Sequence, residues 1–256
     1  MAYLDRDGVR VHYEDSGGNG GDDRMPILLT HGFSASTGMW RGQVEALGGQ
    51  YRLIRMDMRG HGETLCHMDD DLFSQHHVVE DMRALLDHLG IEKAVIGGHS
   101  LGGFMSLAFH VRYPDRVTAL ILQGCGPGYR SDKSRAVWNQ HNEVRARTLE
   151  EQGLGALNGG SEVPISVQRP APELAMAARG LLSQIDARVI DSLTSIAVPT
   201  LVIIGDGDSD FLEGSNYMAG RIPGAINVVV PGGGHGINVD QPEAVNRALG
   251  AFLATL

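Results

Sequence analysis

The stretch Gly98-His99-Ser100-Leu101-Gly102-Gly103 decides the fold of this chain. An apolar run predicted as a strand, residues 94–97, leads into it, and residues 101–113 follow with the pattern of a helix. G-x-S-x-G between a strand and a helix is typical of a sharp turn with an exposed nucleophilic serine at its tip. Positions 98 and 102 approach each other in such a turn, so only small residues fit there. The alternative is a glycine-rich turn with an ordinary serine.

Short apolar runs recur on both sides of this turn and predict strands covered on both faces, as in a parallel sheet. Helical patterns between most of them favour right-handed strand–helix–strand units. Asp7-Gly8, before the alternating Val9, Val11 and Tyr13, predicts a hairpin and therefore an antiparallel start. The other predicted strands are 27–30, 53–56, 94–97, 119–122, 201–204 and 227–230.

The alternation of strands and helices is interrupted once. Residues 127–196 show no strand pattern, but residues 134–152 and 173–183 have helical patterns, with a loop rich in Gly and Pro between them. We interpret this segment as a helical cap inserted into a core formed by residues 1–126 and 197–256.

The charge balance excludes some classes of partner. Acidic residues number 31 against 21 basic ones, a formal net charge of -10. An acidic surface opposes binding to nucleic acid and to anionic membranes. Two cysteines, Cys66 and Cys125, are too few for a disulfide framework and lack metal-ligand spacing. Without an apolar leader at residues 1–10, we expect a cytoplasmic protein. The oligomeric state is left open.

A serine hydroxyl needs a base to become a nucleophile. The chain has 11 histidines. His235 lies in Gly232-Gly233-Gly234-His235-Gly236, directly after the last apolar run, where a flexible loop can bring the ring over the edge of the sheet. In folds with this serine turn, the partners follow in the order Ser, acid, His. His235 is therefore the predicted base.

The acid that orients the histidine is expected after the preceding strand. Residues 201–204 lead into Asp206, Asp208 and Asp210, and from the residues alone any of the three could serve. Their alternating spacing is also similar to a calcium loop, but Phe211 stands where that loop needs glycine. No metal site is predicted.

Two N–H groups must stabilise the oxyanion of an acyl-transfer reaction. The amide of Leu101, directly after the serine, is one candidate. The other is the amide of Phe33 in His31-Gly32-Phe33, which follows the third predicted strand. We also expect Phe33, His99 and Trp138 to contact substrate. Phe33 lies in the predicted oxyanion loop, His99 directly precedes the serine, and Trp138 is one of the few aromatic residues of the cap.

These motifs together resemble the α/β-hydrolase superfamily, specifically its small esterase and enol-lactonase-like members. The resemblance adds Asp57-Met58-Arg59-Gly60-His61-Gly62 to the motifs above, and it covers nearly the whole chain. It implies an eight-stranded, mostly parallel sheet with helices on both faces and a cap after strand six. It also implies Asp208 as the acid. Glu63-Thr64 departs from the family, which has serine two residues after this motif.

The predicted function is a serine hydrolase that cleaves a small carboxylic ester or lactone through an acyl-enzyme, without cofactor or metal. Three alternatives remain open: hydrolysis of a carbon–carbon bond by the same residues, cofactor-free perhydrolysis, and a small-molecule receptor with little turnover. A serine nucleophile speaks against dehalogenases and epoxide hydrolases, which use aspartate at this position.

Overall fold

The computed structural model describes residues 2–17, 22–157 and 160–256. A sheet of eight strands lies at its centre, in the order β1-β2-β4-β3-β5-β6-β7-β8. β1 and β2 are antiparallel, as are β2 and β4, and the other neighbours are parallel. The predicted mostly parallel sheet is therefore confirmed. The strands are β1 (Ala2–Arg6), β2 (Val9–Asp15), β3 (Pro26–Thr30), β4 (Arg52–Met56), β5 (Ala94–His99), β6 (Val117–Gln123), β7 (Thr200–Gly205) and β8 (Ile226–Val230).

The predicted hairpin joins β1 to β2. Asp7 and Gly8 form its turn with φ of 51° and 76°. Positive φ at both central residues is the geometry of the tight turns that match the twist of paired strands. Asp and Gly tolerate this region better than most residues, which explains why this dipeptide starts the antiparallel edge.

Helices cover both faces of the sheet, as predicted. None of the helices in the described ranges is long and apolar enough to cross a bilayer. The predictions from the sequence did not include the four helices Arg41–Leu47, Arg188–Ser192, Leu212–Arg221 and Ile237–Asp240. The helices are α1 (Arg41–Leu47), α2 (Gln75–His88), α3 (Leu101–Arg112), α4 (Asp132–Gln152), α5 (Ala171–Gly180), α6 (Arg188–Ser192), α7 (Leu212–Arg221), α8 (Ile237–Asp240) and α9 (Pro242–Leu253).

Two apolar layers sandwich the sheet, and β3 shows how. Leu28 packs on one face with residues of α2 and α3. Its neighbours Ile27 and Leu29 pack on the other face with residues of α1 and α9. Successive side chains of a strand point to opposite faces, so a strand buried on both faces must be apolar throughout. The sheet thereby holds the ends of β3, β5, β7 and β8 at a fixed edge.

Helices α4, α5 and α6 occupy the segment between β6 and β7. Leu149 of α4 and Leu174 of α5 are buried in the same apolar layer as the core strands. Arg179 of α5 also pairs with Glu143 and Glu150 of α4. Positions 158 and 159, inside the predicted cap, lie outside the described residues. α4 and α5 therefore form one packed unit joined to the core.

Candidate active site

Ser100 forms the tip of the turn between β5 and α3. Its φ of 53° and ψ of -114° are strained for a residue with a side chain. A Cβ added to Gly98 would lie 2.3 Å from the carbonyl carbon of Gly102, and one added to Gly102 would lie 2.3 Å from the oxygen of Thr30. The prediction that these two positions require glycine is therefore confirmed. The turn places the Ser100 hydroxyl beyond the carboxyl end of β5, half-buried.

His235 lies beside Ser100, in the loop between β8 and α8. Its Nε2 is 3.0 Å from the Ser100 Oγ, and its Nδ1 is 2.8 Å from the Asp208 Oδ2. Because a carboxylate accepts the Nδ1–H, Nε2 is free to accept the serine proton. The structure thus brings together the predicted serine, histidine and acid in a continuous chain of hydrogen bonds.

The loop after β7 distinguishes the three aspartates. Asp208 is buried at 5% exposure and reaches His235, whereas Asp206 is exposed and accepts a hydrogen bond from the Gly232 N–H. Asp210 is exposed, and no hydrogen bond from it to another described residue is seen. Phe211 adds a ring stacked on the imidazole of His235, with centroids 4.9 Å apart. Packing and hydrogen bonding together fix the imidazole orientation.

Residues of the loop after β3 face Ser100 from the other side. A Cβ on Gly32 would lie 2.7 Å from the His99 Nδ1 and 3.3 Å from the Ser100 Cβ, so the loop approaches the serine closely because residue 32 lacks a side chain. His31 holds the loop in place. Its Nδ1–H donates to the Gly32 oxygen, and its Nε2 accepts from the Met58 N–H. Burial lowers the pKa of His31, which keeps the ring neutral for both bonds.

The two amides predicted as oxyanion donors flank this approach. Leu101 is the first residue of α3, where helix N–H groups have no partner within the helix. Phe33 follows Gly32. Within the described ranges, neither N–H donates a hydrogen bond to another protein group. Both amides therefore lack an acceptor among the described residues.

The buried carboxylate of Asp57 supports the segment that follows β3. Asp57 accepts hydrogen bonds from His12 Nδ1 and from the N–H groups of Thr37 and Glu63. Burial opposes its charge, but the bond from His12 and the other donors outweigh burial and lower the pKa of Asp57. Glu63, at the departure from the family motif, thus takes part through its main chain. This region is structural.

The structure corrects the expectation for His99. Its ring is fully buried, and its Nε2 is 2.7 Å from the main-chain oxygen of His235. A side chain with no exposed surface in this position supports the histidine loop rather than touching a substrate. The sequence could not separate the two roles, because His99 is adjacent to the nucleophile along the chain.

Trp138 lies on α4. Its indole N–H donates to the Leu182 oxygen at 2.6 Å, and its ring packs against Tyr129 with centroids 5.9 Å apart. The ring is half-buried. Contact of Trp138 or Phe33 with a substrate stays a prediction.

A segment that the sequence did not single out crosses the site. We call residues 160–168 the strap. Ser166 and Gln168 bind Ser36 and Ser34 in the loop after β3, and Ser161 binds the Gly236 oxygen in the histidine loop. The strap thereby joins the two loops that flank Ser100. Its hydrogen bonds link positions far apart along the chain, and no local pattern indicates them.

One cluster has the composition of a metal site. Single ligand-type atoms of His99, Glu162 and His235 lie within 4.8 Å of one another. His235 already uses both ring nitrogens, towards Asp208 and Ser100, and His99 uses Nε2. A metal would have to displace these bonds, so the cluster does not fit one well.

Comparison with known proteins agrees with this geometry. A sequence model of the alpha/beta hydrolase fold family matches residues 25–169. The chain is 26% identical to 3-oxoadipate enol-lactonase 1 of Acinetobacter baylyi, over 93% of this chain and 92% of the relative. It is 29% identical to a Bacillus subtilis protein provisionally named 2-succinyl-6-hydroxy-2,4-cyclohexadiene-1-carboxylate synthase, over 98% of this chain and 97% of the relative.

The fold is also similar to that of a solved structure. A thermophilic esterase from Thermogutta terrifontis, solved with malate bound, superposes with a TM-score of 0.82. It is 28% identical, and the match covers 96% of this chain and 94% of the esterase.

Proposed function

The chain belongs to the alpha/beta hydrolase fold family, and from that premise we propose that it is a serine hydrolase of small carboxylic esters or lactones. The observation that carries the proposal is the hydrogen-bonded series Ser100–His235–Asp208, at 3.0 and 2.8 Å. The unused N–H groups of Phe33 and Leu101 beside it support acyl transfer in particular.

The reaction proceeds in two steps. Ser100 attacks the carbonyl carbon while His235 takes the hydroxyl proton, and Asp208 stabilises the imidazolium that forms. The amides of Phe33 and Leu101 hold the oxyanion. His235 then passes the proton to the leaving alcohol, which departs and leaves an acyl group on Ser100. Water, deprotonated by His235, attacks the acyl carbonyl, and the acid is released as Ser100 regains its proton.

Arg145 supports a substrate that carries a negative charge. Its guanidinium carbon lies 5.5 Å from the centre of the Phe33 ring, next to the proposed oxyanion amide. Every other arginine of segment 127–196 has a carboxylate within 4.0 Å. Arg145 has none among the described residues, and its one hydrogen bond goes to the neutral Asn142.

The surroundings of Arg145 favour an anionic ligand. The side chain is exposed to solvent, yet the protein around it lowers the pKa of the guanidinium by desolvation. A cation there without a partner is stabilised when an anion binds. We therefore propose an ester or lactone with a carboxylate on its acyl or alcohol part.

Segment 127–196 serves in this proposal as the cap over the site. α4 carries Arg145 and Trp138, and the strap carries contacts to both catalytic loops. Substrate selection would then lie in the cap and bond cleavage in the core.

A p-nitrophenyl ester series of rising acyl length tests the function, together with labelling by a fluorophosphonate probe. We expect turnover of short esters and one label per chain. Ser100→Ala should lose both and remain folded, as judged by circular dichroism. Ester turnover that survives in Ser100→Ala would refute the proposal.

Two further substrates separate the catalytic alternatives. Turnover of a dienoic ring-fission substrate by the wild type would indicate carbon–carbon bond hydrolysis, and turnover of acetate with peroxide would indicate perhydrolysis. Tight ligand binding without product would favour a receptor.

A further inference from the structure

Glu162, on the strap, is a buried carboxyl that the mechanism above does not use. Its side chain is 2% exposed, and its Oε2 has no hydrogen-bond partner among the described residues. Burial of an unpaired carboxylate is costly, so a carboxyl in such a place tends to keep its proton. A protonated carboxyl is a donor, and a buried donor needs an acceptor.

An acceptor lies on His99, a residue of the same cluster. Burial lowers the pKa of His99 well below its ordinary value, so the ring is neutral and carries one proton. The Nε2 of His99 faces the carbonyl oxygen of His235 at 2.7 Å. A carbonyl oxygen can only accept, so the proton lies on Nε2. The Nδ1 is then an acceptor, and it too has no partner among the described residues.

A single proton on Glu162 gives both unpartnered atoms, Glu162 Oε2 and His99 Nδ1, a hydrogen-bond partner. One ligand-type atom from each of Glu162, His99 and His235 lies within 4.8 Å of the other two, a spacing that one bridging water can span. We propose that Glu162 is a protonated positioning residue that donates to His99 Nδ1 and, through the Nε2–H of His99, fixes the main chain of His235. The inference rests on the proposed function, in which His235 is the base.

The charged groups around the carboxyl are consistent with a neutral state. His235 faces it from the histidine loop, His99 from β5, and Asp240 from α8. Burial and the negative charge of Asp240 raise the pKa of Glu162, while nearby N–H groups and His235 oppose the shift in part. The proton is therefore held above the ordinary titration range of glutamate and is lost as the pH rises further.

Two variants of the full-length protein test whether Glu162 carries a proton and donates it in a hydrogen bond. Glu162→Gln keeps a donor that cannot ionise, and Glu162→Ala removes it. The kcat of Glu162→Gln should stay within about twofold of wild type, and that of Glu162→Ala should fall about five- to tenfold, the worth of one neutral hydrogen bond. KM should change little in both. Equal losses in the two variants would overturn the proposal.

The pH profile of kcat/KM distinguishes a neutral from an ionised Glu162. If Glu162 is neutral over the pH range of the acid limb, Glu162→Gln leaves that limb in place. If Glu162 is ionised, the substitution removes a negative charge near the imidazole and moves the limb to lower pH by more than about half a unit. That shift would contradict the proposal.

An infrared difference spectrum needs no substrate, so it remains informative if the proposed function fails. Wild type minus Glu162→Gln at pH 6 should contain the carbonyl band of a protonated carboxyl. A carboxylate band in its place would contradict the inference.

The route through His99 is tested with a double variant. His99→Leu removes the acceptor for Glu162 together with the donor to the His235 oxygen, so the route is already broken in this background. In that background, Glu162→Ala should cost no more than about twofold in kcat, because coupled residues are not additive. Fully additive losses would show that Glu162 does not act through His99.

Discussion

Replacing Arg145 by methionine tests whether the proposed cap selects substrates by charge. The substitution removes the guanidinium above Phe33 and retains most of the apolar length of the side chain. Since no carboxylate among the described residues neutralises Arg145, the change leaves no acidic side chain unpaired. Folding should therefore be little affected, and the effect on the substrate can be read directly.

The expected magnitude depends on the charge of the substrate. A hydrogen bond between charged groups contributes about 1.5–3 kcal/mol. Its loss corresponds to a drop of about ten- to 150-fold in kcat/KM for an ester with a carboxylate. A neutral ester loses only the packing of the cation on the Phe33 ring. An exposed cation–π contact is worth about 0.5–1 kcal/mol, so that loss stays below about sixfold.

The assay compares two substrates of matched length, p-nitrophenyl hexanoate and mono-p-nitrophenyl adipate, by release of p-nitrophenolate. The control is Arg147→Met, two residues further along α4, where the exposed arginine pairs with Glu143. That variant should leave the preference unchanged. Equal losses for both substrates in Arg145→Met, or the same change in preference in Arg147→Met, would refute the proposed anion contact.

Three further substitutions follow from the geometry. In steady-state rate measurements, Asp208→Asn should lower kcat roughly 10³- to 10⁴-fold with little change in KM, because the amide can hold the wrong tautomer of the histidine. Gly32→Ala should lower kcat at least about tenfold, since its Cβ would lie 2.7 Å from the His99 ring and displace the oxyanion loop. Arg59→Met should cost about 3 kcal/mol of unfolding free energy in urea, because the fully buried Asp81 loses both hydrogen bonds from Arg59 and keeps only the one from Arg6.

Each of the three has a matched control. Asp210→Asn changes an exposed aspartate of the same loop and should keep full activity. Gly155→Ala adds a Cβ that meets no atom within 4 Å and should be silent in the same assay. Arg188→Met breaks an exposed pair with Asp186 and should cost less than about 1 kcal/mol. Controls as damaging as their partner variants would show that these contacts do not have the assigned roles.

The strands and the nucleophile turn could be predicted because their signals are local. A strand covered on both faces must be a short apolar run, and β3 to β7 each contain such a run. The close approach of Gly98 and Gly102 likewise follows from five consecutive residues. Helix α7 gave no comparable signal. It contains Gly214, where an added Cβ would lie 3.2 Å from the Cα of Gly126. A glycine inside a helix weakens the sequence pattern by which helices are recognised.

The acid and the cap contacts depend on tertiary geometry. Asp206, Asp208 and Asp210 lie within five residues, and the turn after β7 decides which of them points inward. Sequence alone left the three equivalent, and the resemblance to a family selected Asp208. Glu162 and Arg145 belong to the proposed cap and come near Phe33 and His235 only through tertiary contacts. Neither has a neighbour in sequence that indicates this.

The most direct test of the account is to find where the acyl group goes. Rapid acid quenching during turnover of a p-nitrophenyl ester, followed by peptide mass spectrometry, should place the acyl mass on the peptide that contains Ser100. The same adduct should form far more slowly in His235→Ala. An acyl group on another residue, or steady turnover with no adduct together with full activity of Ser100→Ala, would contradict the account.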